Sequence, residues 1–207
     1  LGEITLAHNG VLFLAELPEF HRNVSEAVRQ PLEERTITVS RAHGSFLYPA
    51  RFTLVATKNP CPCGWYGSHQ RECVCSMQNV LGYQKKVSGP IADRIDVHIA
   101  VPAVTYDKLA ADAPLKGESD AVRARVNAAR DTQRKRFAKD SVFLNSEMSP
   151  RHIKKHCVLD SASHSLLKEA MEKLKLSARA YHKIIKIART IADLAQEERI
   201  LSTHIAE

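Results

Sequence analysis

The sequence predicts an α/β part built on a parallel sheet with helices, followed by an all-helical part. Three observations carry this. Val11–Ala15 is a short apolar run without alternation, as in a strand buried on both faces of a parallel sheet, and Phe52–Ala56 reads as a second buried strand. After about residue 116 strand-like runs stop, and apolar residues recur at three-and-four spacing. Between the two regimes, Pro114 and Gly117 mark a linker. The expected organisation is therefore an α/β core over 1–103, a linker over 104–118 and a helical domain over 119–207.

Taken in order, the run at Val11 ends abruptly in Glu16, and Pro18 opens a helix expected over 19–34. Val24, Ala27, Val28 and Leu32 are spaced for one buried face, and Pro31 bends or ends that helix. Thr36–Ser40 alternates polar and apolar residues, as does Phe46–Tyr48, with His43 and Gly44 between them, so a hairpin is expected. Phe52–Ala56 follows as a second buried strand. Residues 60–76 form a loop rich in Pro, Gly and Cys, 77–87 a helix, and Ile95–Val101 a third strand ended by Pro102.

In the helical part Ser119 caps a helix with Val122, Val126, Ala129 and Gln133 on one face. A second helix buries Leu166, Leu167, Ala170, Met171 and Leu174. A third carries Tyr181, Ile184, Ile185, Ala188, Ile191, Ala192 and Ala195. His204–Glu207 reads as a helix cut short. Leu1-Gly2-Glu3-Ile4 carries no initiator Met and reads as the interior of a fold, so the chain is expected to be a piece of a longer one.

With 207 residues, 44% hydrophobic and 26% charged, the chain has the composition of a globular protein with a substantial core. No run of about 18 apolar residues is present, so no membrane span is expected. A net charge of +7 suits an anionic partner such as nucleic acid or nucleotide phosphates; it equally suits a basic solvated surface. Four of the five cysteines, Cys61, Cys63, Cys73 and Cys75, lie within fifteen residues. Such clustering without a secretory signal points to a metal site in a reducing compartment, hence a cytoplasmic protein.

Three residues stand where a sheet edge builds chemistry. Glu16 ends one strand, an arrangement common at α/β active sites; it also suits a carboxylate that merely favours a helix N-terminus. Asn59 ends a second strand and either holds a water or makes the turn before Pro60. Arg94 precedes the third expected strand and is either functional or a surface ion pair.

These pieces have a recognisable order. Gly10-Val-Leu-Phe-Leu-Ala-Glu-Leu-Pro-Glu-Phe20 resembles the Walker B segment of AAA+ ATPases. Gln30–Ser40 and Pro49–Pro60 resemble the stretch leading to sensor 1. Ser88-Gly-Pro-Ile-Ala-Asp-Arg-Ile-Asp96 resembles the arginine-finger segment. Leu176–Lys183 with Ile187–Leu194 resembles the sensor 2 helix. The order is similar to that of the bacterial magnesium-chelatase-like ATPases of the ComM/YifB family, which also carry a Cys-Pro-Cys-Gly segment after Asn-Pro. The resemblance covers essentially the whole chain.

The resemblance implies a partial P-loop-type AAA+ sheet with a helical lid, and a division of labour. Glu16 matches the residue that polarises the attacking water, Asn59 the sensor that positions it, Arg94 the finger that reaches a neighbour's γ-phosphate, and Arg179 the sensor 2 arginine that contacts bound nucleotide. Phosphoryl transfer needs an oriented water and positive charge where the phosphate oxygens gain electron density. ATP, Mg²⁺ and self-association into a ring, as a hexamer, are implied with it. Two departures stand out. Ala15 occupies the position where the family has an Asp that helps hold Mg²⁺. No G-x-x-x-x-G-K-[ST] motif occurs within these 207 residues; in the family it precedes the matched region. The chain alone is therefore expected to be inactive in ATP hydrolysis.

The cysteines carry a separate argument. Two Cys-x-Cys pairs separated by nine residues fold a short loop so that four thiolates meet, as a structural Zn²⁺ requires. His69 lies between the pairs and is an alternative fourth ligand, and four unligated thiols are the other reading. For nucleic acid there are two candidate surfaces. Residues 123–139 hold Arg123, Arg125, Arg130, Arg134, Lys135, Arg136 and Lys139 against Asp131, either a phosphate-following face or a solvated one. By resemblance to helicase-related AAA+ rings, whose hairpins here project toward the central pore, the hairpin near 36–49 would present Arg41 and His43 to DNA; alternatively it simply packs. Three functions compete: an ATP-driven DNA motor promoting branch migration in recombination or transformation, a chelatase-type motor acting on a protein, and a non-enzymatic zinc-binding DNA module.

Overall fold

The computed structural model describes residues 2–104 and 117–207, which fall into two compact units, Leu1–Ile99 and Ala100–Glu207. Most of the expected linker, 105–116, lies outside the described residues.

The first unit opens with a short helix α1 (Glu3–Leu6) and strand β1 (Val11–Leu14). A 3-10 turn (Leu17–Glu19) leads into α2 (Arg22–Ala27) and α3 (Arg29–Glu34). The single helix expected over 19–34 is thus broken, and the break falls at Val28. Pro31 has no N–H for the carbonyl four residues back, and its ring crowds that carbonyl, so Ala27 cannot continue one helix through Pro31. The hairpin forms as expected from β2 (Thr36–Arg41) and β3 (Gly44–Pro49), with Arg41 opposite Gly44. Gly44 takes φ 136°, where an L side chain is strained. Strand β4 (Thr53–Ala56) then pairs with β1 in parallel, Val11 opposite Thr53 and Leu14 opposite Ala56.

Neither strand is buried on both faces. Leu12, Leu14 and Leu54 pack into a cluster with Leu17, Val28, Ile91 and Phe52, whereas Val11, Phe13 and Val55 are exposed. Only one face of this two-stranded sheet is covered within the described residues. The third expected strand, Ile95–Val101, is not a strand. A ladder needs a neighbour, and among the described residues none pairs with this segment, so Val97, Ile99 and Val101 remain exposed despite their alternation. Helices α4 (Met77–Gln84) and α5 (Gly89–Ala92) complete the unit, and Ser76 caps α4 by accepting the Asn79 N–H at 3.2 Å.

The second unit is helical: α6 (Glu118–Arg136), α7 (Pro150–His156), α8 (Ser161–Leu174), α9 (Ala178–Leu194) and α10 (Ser202–Ala206). Helix α6 starts one residue before Ser119, with Gly117 at its N-cap in the left-handed region, so Ser119 is not the cap. Of its expected face, Ala129 and Gln133 are buried while Val122 and Val126 are exposed. Leu167 is the buried residue of the second expected face, and Leu174 is exposed. Helix α9 is the spine of the unit. Ile185, Ala188 and Ala192 are buried one turn apart, with Ile185 and Ala188 packing against Phe137, Met148, Ile153, Leu167 and Ile200. Burying one such isoleucine contributes about 2 kcal/mol.

Beside this apolar core lies a buried charged network. Arg136 meets the Asp193 carboxylate with both terminal nitrogens, Nη1 to Oδ2 at 2.7 Å. Arg189 Nε donates to Asp193 Oδ1 at 3.1 Å, and its Nη atoms donate to the Glu197 and Glu198 carbonyls. Asn145 Nδ2 donates to Asp193 Oδ2 at 2.8 Å, and its Oδ1 accepts from Arg136. Arg136 therefore does not belong to a solvated basic face. Arg123 and Arg134 on the same helix are paired with Asp120 and Asp131.

Candidate functional site

The parallel register brings Glu16 and Asn59 together. The ladder runs past Leu14 and Ala56, with the Thr57 N–H donating to the Leu14 carbonyl at 3.1 Å and the Leu17 N–H to the Thr57 carbonyl at 2.8 Å. Both segments therefore leave the sheet side by side at the C-terminal ends of their strands, where α/β sheets build sites. Glu16 takes φ 55° and ψ 52°, a left-handed conformation costing a non-glycine residue about 1 kcal/mol or more. Its N–H donates to Thr57 Oγ1 at 2.9 Å, which holds the turn. Asn59 Nδ2 then lies 3.4 Å from Glu16 Oε1. Both side chains are exposed, so water reaches the pair.

A second layer stands beside them. Tyr83 on α4 is only 4% exposed. Burial pushes its hydroxyl above the ordinary tyrosine range, and the Glu19 carboxylate and, more weakly, Glu16 add to the rise, while the Asn59 backbone N–H opposes it. Lys86 Nζ sits 5.2 Å from the Tyr83 ring centre and 3.5 Å from Glu19 Oε2. Gln84 Nε2 donates to the Pro60 carbonyl at 3.2 Å. Sequence reasoning missed Thr57, Tyr83 and Gln84 as parts of this site. The available signal was their spacing, since Tyr83 falls three residues after buried Val80 on one helix face.

Arg94 is not joined to this pair. Its side chain is 9% exposed, with Nη2 in an ion pair with Glu33 and Nη1 donating to the Pro90 carbonyl at 2.6 Å. Its Nε is buried without a hydrogen-bond partner. The surface ion pair that is the alternative reading of Arg94 is present but half-buried, with the Arg94 side chain 9% and the Glu33 side chain 45% exposed. Arg179 lies exposed in the first turn of α9, in the other unit. Arg41 and His43 are exposed at the hairpin tip. Ala15, exposed beside Glu16, offers a methyl group in place of a side-chain oxygen, so no side-chain Mg²⁺ ligand comes from that position.

The cysteines meet as a metal site requires. The Cys61, Cys63, Cys73 and Cys75 Sγ atoms all lie within 4.8 Å of one another. Cys61 is 3.4 Å from Cys63 and 3.7 Å from Cys73, and Cys63 is 3.6 Å from Cys73. Zn–S bonds of about 2.3 Å in a tetrahedron place sulfurs roughly 3.8 Å apart, so the donor set fits Zn²⁺. The Tyr66 N–H donates to Cys61 Sγ at 3.3 Å, an outer-shell contact that suits a thiolate. The Trp65 backbone N–H does the most to pull the Cys63 thiol down to about 6. Cys73 is pushed up to about 12: its Cys75 backbone N–H lowers it, but removal from water and the neighbouring Cys63 and Cys61 sulfurs outweigh that. Without a cation, four thiols this close do not all ionise. His69 is not a member of the cluster.

Residues 1–109 match the family described as magnesium chelatase, subunit ChlI, and residues 116–207 its ChlI C-terminal counterpart. Competence protein ComM of Haemophilus influenzae is 46% identical over 208 residues, covering 100% of this chain and 39% of that protein. The uncharacterized protein YifB of Escherichia coli is 42% identical, covering 100% of this chain and 40% of that protein. The uncharacterized protein Mb2921c of Mycobacterium bovis is 34% identical over 195 residues, covering 94% and 38%. The chain thus spans about two fifths of the length of the curated relatives it matches.

Proposed function

This chain belongs to the magnesium-chelatase family, and from that membership we propose that it supplies the water-activating half of the ATP site in a ring-forming AAA+ motor. The observation that carries this reading is the Glu16–Asn59 contact at the open ends of two parallel strands. Glu16 takes a proton from a water that Asn59 helps hold in line with the γ-phosphate. Arg94 of one subunit serves its neighbour's site, and Arg179 contacts bound nucleotide from the helical unit. The phosphate-gripping loop is absent from these 207 residues, so this chain alone does not turn over ATP.

The rest of the reading follows the same resemblance. The four cysteines hold one structural Zn²⁺; elemental analysis of protein purified without added metal tests this, and four freely titrating thiols with well under half a zinc per chain refute it. The ring is a hexamer in the cytoplasm. No helix among the described residues is long and apolar enough to cross a membrane. Its partner is DNA, on which it drives branch migration in recombination or transformation. The +7 charge, the exposed Arg41 and His43 at the hairpin tip and the likeness to a competence protein support this.

The test is phosphate release by the full-length protein with and without branched DNA, at several salt concentrations. The reading expects DNA stimulation that weakens as salt rises, and loss of turnover in Glu16→Gln. ATP turnover indifferent to DNA at every salt concentration favours the second reading, a chelatase-type motor acting on a protein; the matched family's description as magnesium chelatase supports its chelatase-type part.

A further inference from the structure

The cysteine loop and helix α4 form a closed circuit that begins and ends at Asn59. The chain leaves the site as Asn59-Pro60-Cys61, so the first sulfur ligand is two residues from the Asn59 side chain. It then passes through the four cysteines, whose sulfurs lie within 4.8 Å, and Cys61 itself is fully buried. One residue after Cys75, Ser76 caps α4. The helix runs back to where the loop started: Val80 is buried, Gln84 Nε2 donates to the Pro60 carbonyl at 3.2 Å, and buried Tyr83 faces Asn59 and Glu19. Lys86, on the next turn, ties Glu19 from the Glu16 side of the site at 3.5 Å.

A segment of alternating Pro, Gly and Cys has no regular backbone ladder of its own to fix its ends. Two things fix them here, the sulfur cluster and α4. The exposed Asn59 side chain would otherwise sample many positions relative to Glu16, and a misplacement of 1 Å at a catalytic group costs about 100-fold in rate.

We infer that Tyr83 and Gln84 are positioning residues: they clamp the Asn59–Pro60 segment against Glu16, and the four-cysteine cluster is the base on which that clamp rests. This rests on the hydrolytic reading of Glu16 and Asn59. Tyr83 and Gln84 act through the backbone of Asn59 and Pro60, Gln84 by its bond to the Pro60 carbonyl and Tyr83 beside the Asn59 N–H. Opening the cluster by metal loss releases one end of the circuit and lowers turnover without touching the nucleotide grip.

The experiment uses the full-length protein and the variants Tyr83→Phe, Gln84→Ala and the pair, with Glu16→Gln as control. Hydrogen exchange at the amides of residues 57–59, metal content, kcat and KM for ATP are measured. The clamp predicts unchanged metal content, unchanged KM, kcat lower by about 10- to 100-fold in the pair, and exchange at 57–59 faster by about tenfold. Stripping the metal with a chelator raises the same exchange in the parent but adds little in the pair. Unchanged exchange and kcat in the pair overturn the clamp. If Glu16→Gln keeps full turnover, the hydrolytic reading fails instead, and the exchange data alone decide whether the clamp exists.

Discussion

Asn59 Nδ2 stands 3.4 Å from Glu16 Oε1, although 43 positions separate the two residues. The contact exists because β1 and β4 pair in parallel and in register, so both chains leave the sheet at one edge. The left-handed Glu16 then turns its side chain back toward the neighbouring strand end, with its N–H on Thr57 Oγ1.

If this contact positions a general base, Asn59→Ala in the full-length protein lowers kcat for ATP by about 10- to 100-fold, while Glu16→Gln lowers it by about 10² to 10⁴. Nucleotide affinity stays the same in both. Single-turnover phosphate release with a separate nucleotide-binding titration checks this. Equal losses of affinity and rate in Asn59→Ala would mean that Asn59 grips nucleotide rather than water.

That Glu16 and Asn59 share one edge of the sheet was legible in the sequence because each closely follows a short, mainly apolar run, and two such runs in an α/β chain tend to lie parallel. The cysteine cluster was legible from spacing alone. What the sequence hid has a common cause: the periodicity of apolar residues says nothing about partners. Ile95–Val101 alternates like a strand, yet a strand exists only with a neighbour, and none of the described residues supplies one. Arg136 reads as one more cation on a basic helix, but Asp193 and Asn145, 57 and 9 residues away, draw it inward. Glu33 is likewise an ordinary acidic residue until Arg94 is found against it.

Removing Asp193 should be among the most damaging substitutions in the helical unit. The residue is fully buried and accepts from Arg136, Arg189 and Asn145. Asp193→Ala leaves two guanidinium groups without their anion, a loss of about 3–5 kcal/mol. Replacing Arg136 by Met costs less, because Arg189 still neutralises Asp193. Denaturant unfolding followed by circular dichroism gives the ordering, and an Asp193→Ala variant as stable as the parent would show that the network does not hold the helices.

Asp140 supplies a pH-dependent contribution with a definite sign. Lys155 and His156 hold its carboxyl below the ordinary carboxylate range, with Lys155 Nζ at 2.9 Å and His156 Nε2 at 2.9 Å. A carboxylate whose folded pKa is depressed stabilises the fold above its unfolded pKa of about 3.9 and loses that contribution as pH falls through the folded value. Asp140→Asn should therefore lower the melting temperature at pH 7, and the gap to the parent should close below about pH 4. Melting curves across this range check it; a gap that does not change with pH would assign the effect to packing.

Arg94 offers the sharpest separation between a structural and a catalytic arginine. Its side chain is 9% exposed and its Glu33 partner 45%, so the two ends of the ion pair differ in how much they need each other. Removing Arg94 leaves a carboxylate that water can solvate, and also removes a buried Nε that has no partner. Removing Glu33 leaves a largely buried guanidinium with its Nη1 bond to the Pro90 carbonyl but no carboxylate. Glu33→Ala should thus destabilise the fold more than Arg94→Met, whereas a surface pair would give small and similar losses for both. For turnover the ordering inverts. An arginine finger contributes about 10³ to 10⁵ in rate, so Arg94→Met in the full-length ring should be nearly inactive while stable. If the finger serves the adjacent subunit, mixing Arg94→Met with Glu16→Gln subunits creates some sites that pair an intact Glu16 with a neighbour's intact Arg94. Those mixed rings should recover measurable phosphate release that neither variant shows alone. Stable Arg94→Met rings with full activity, or mixed rings that stay dead, would show that this arginine serves its own subunit through Glu33 and not the neighbour's nucleotide.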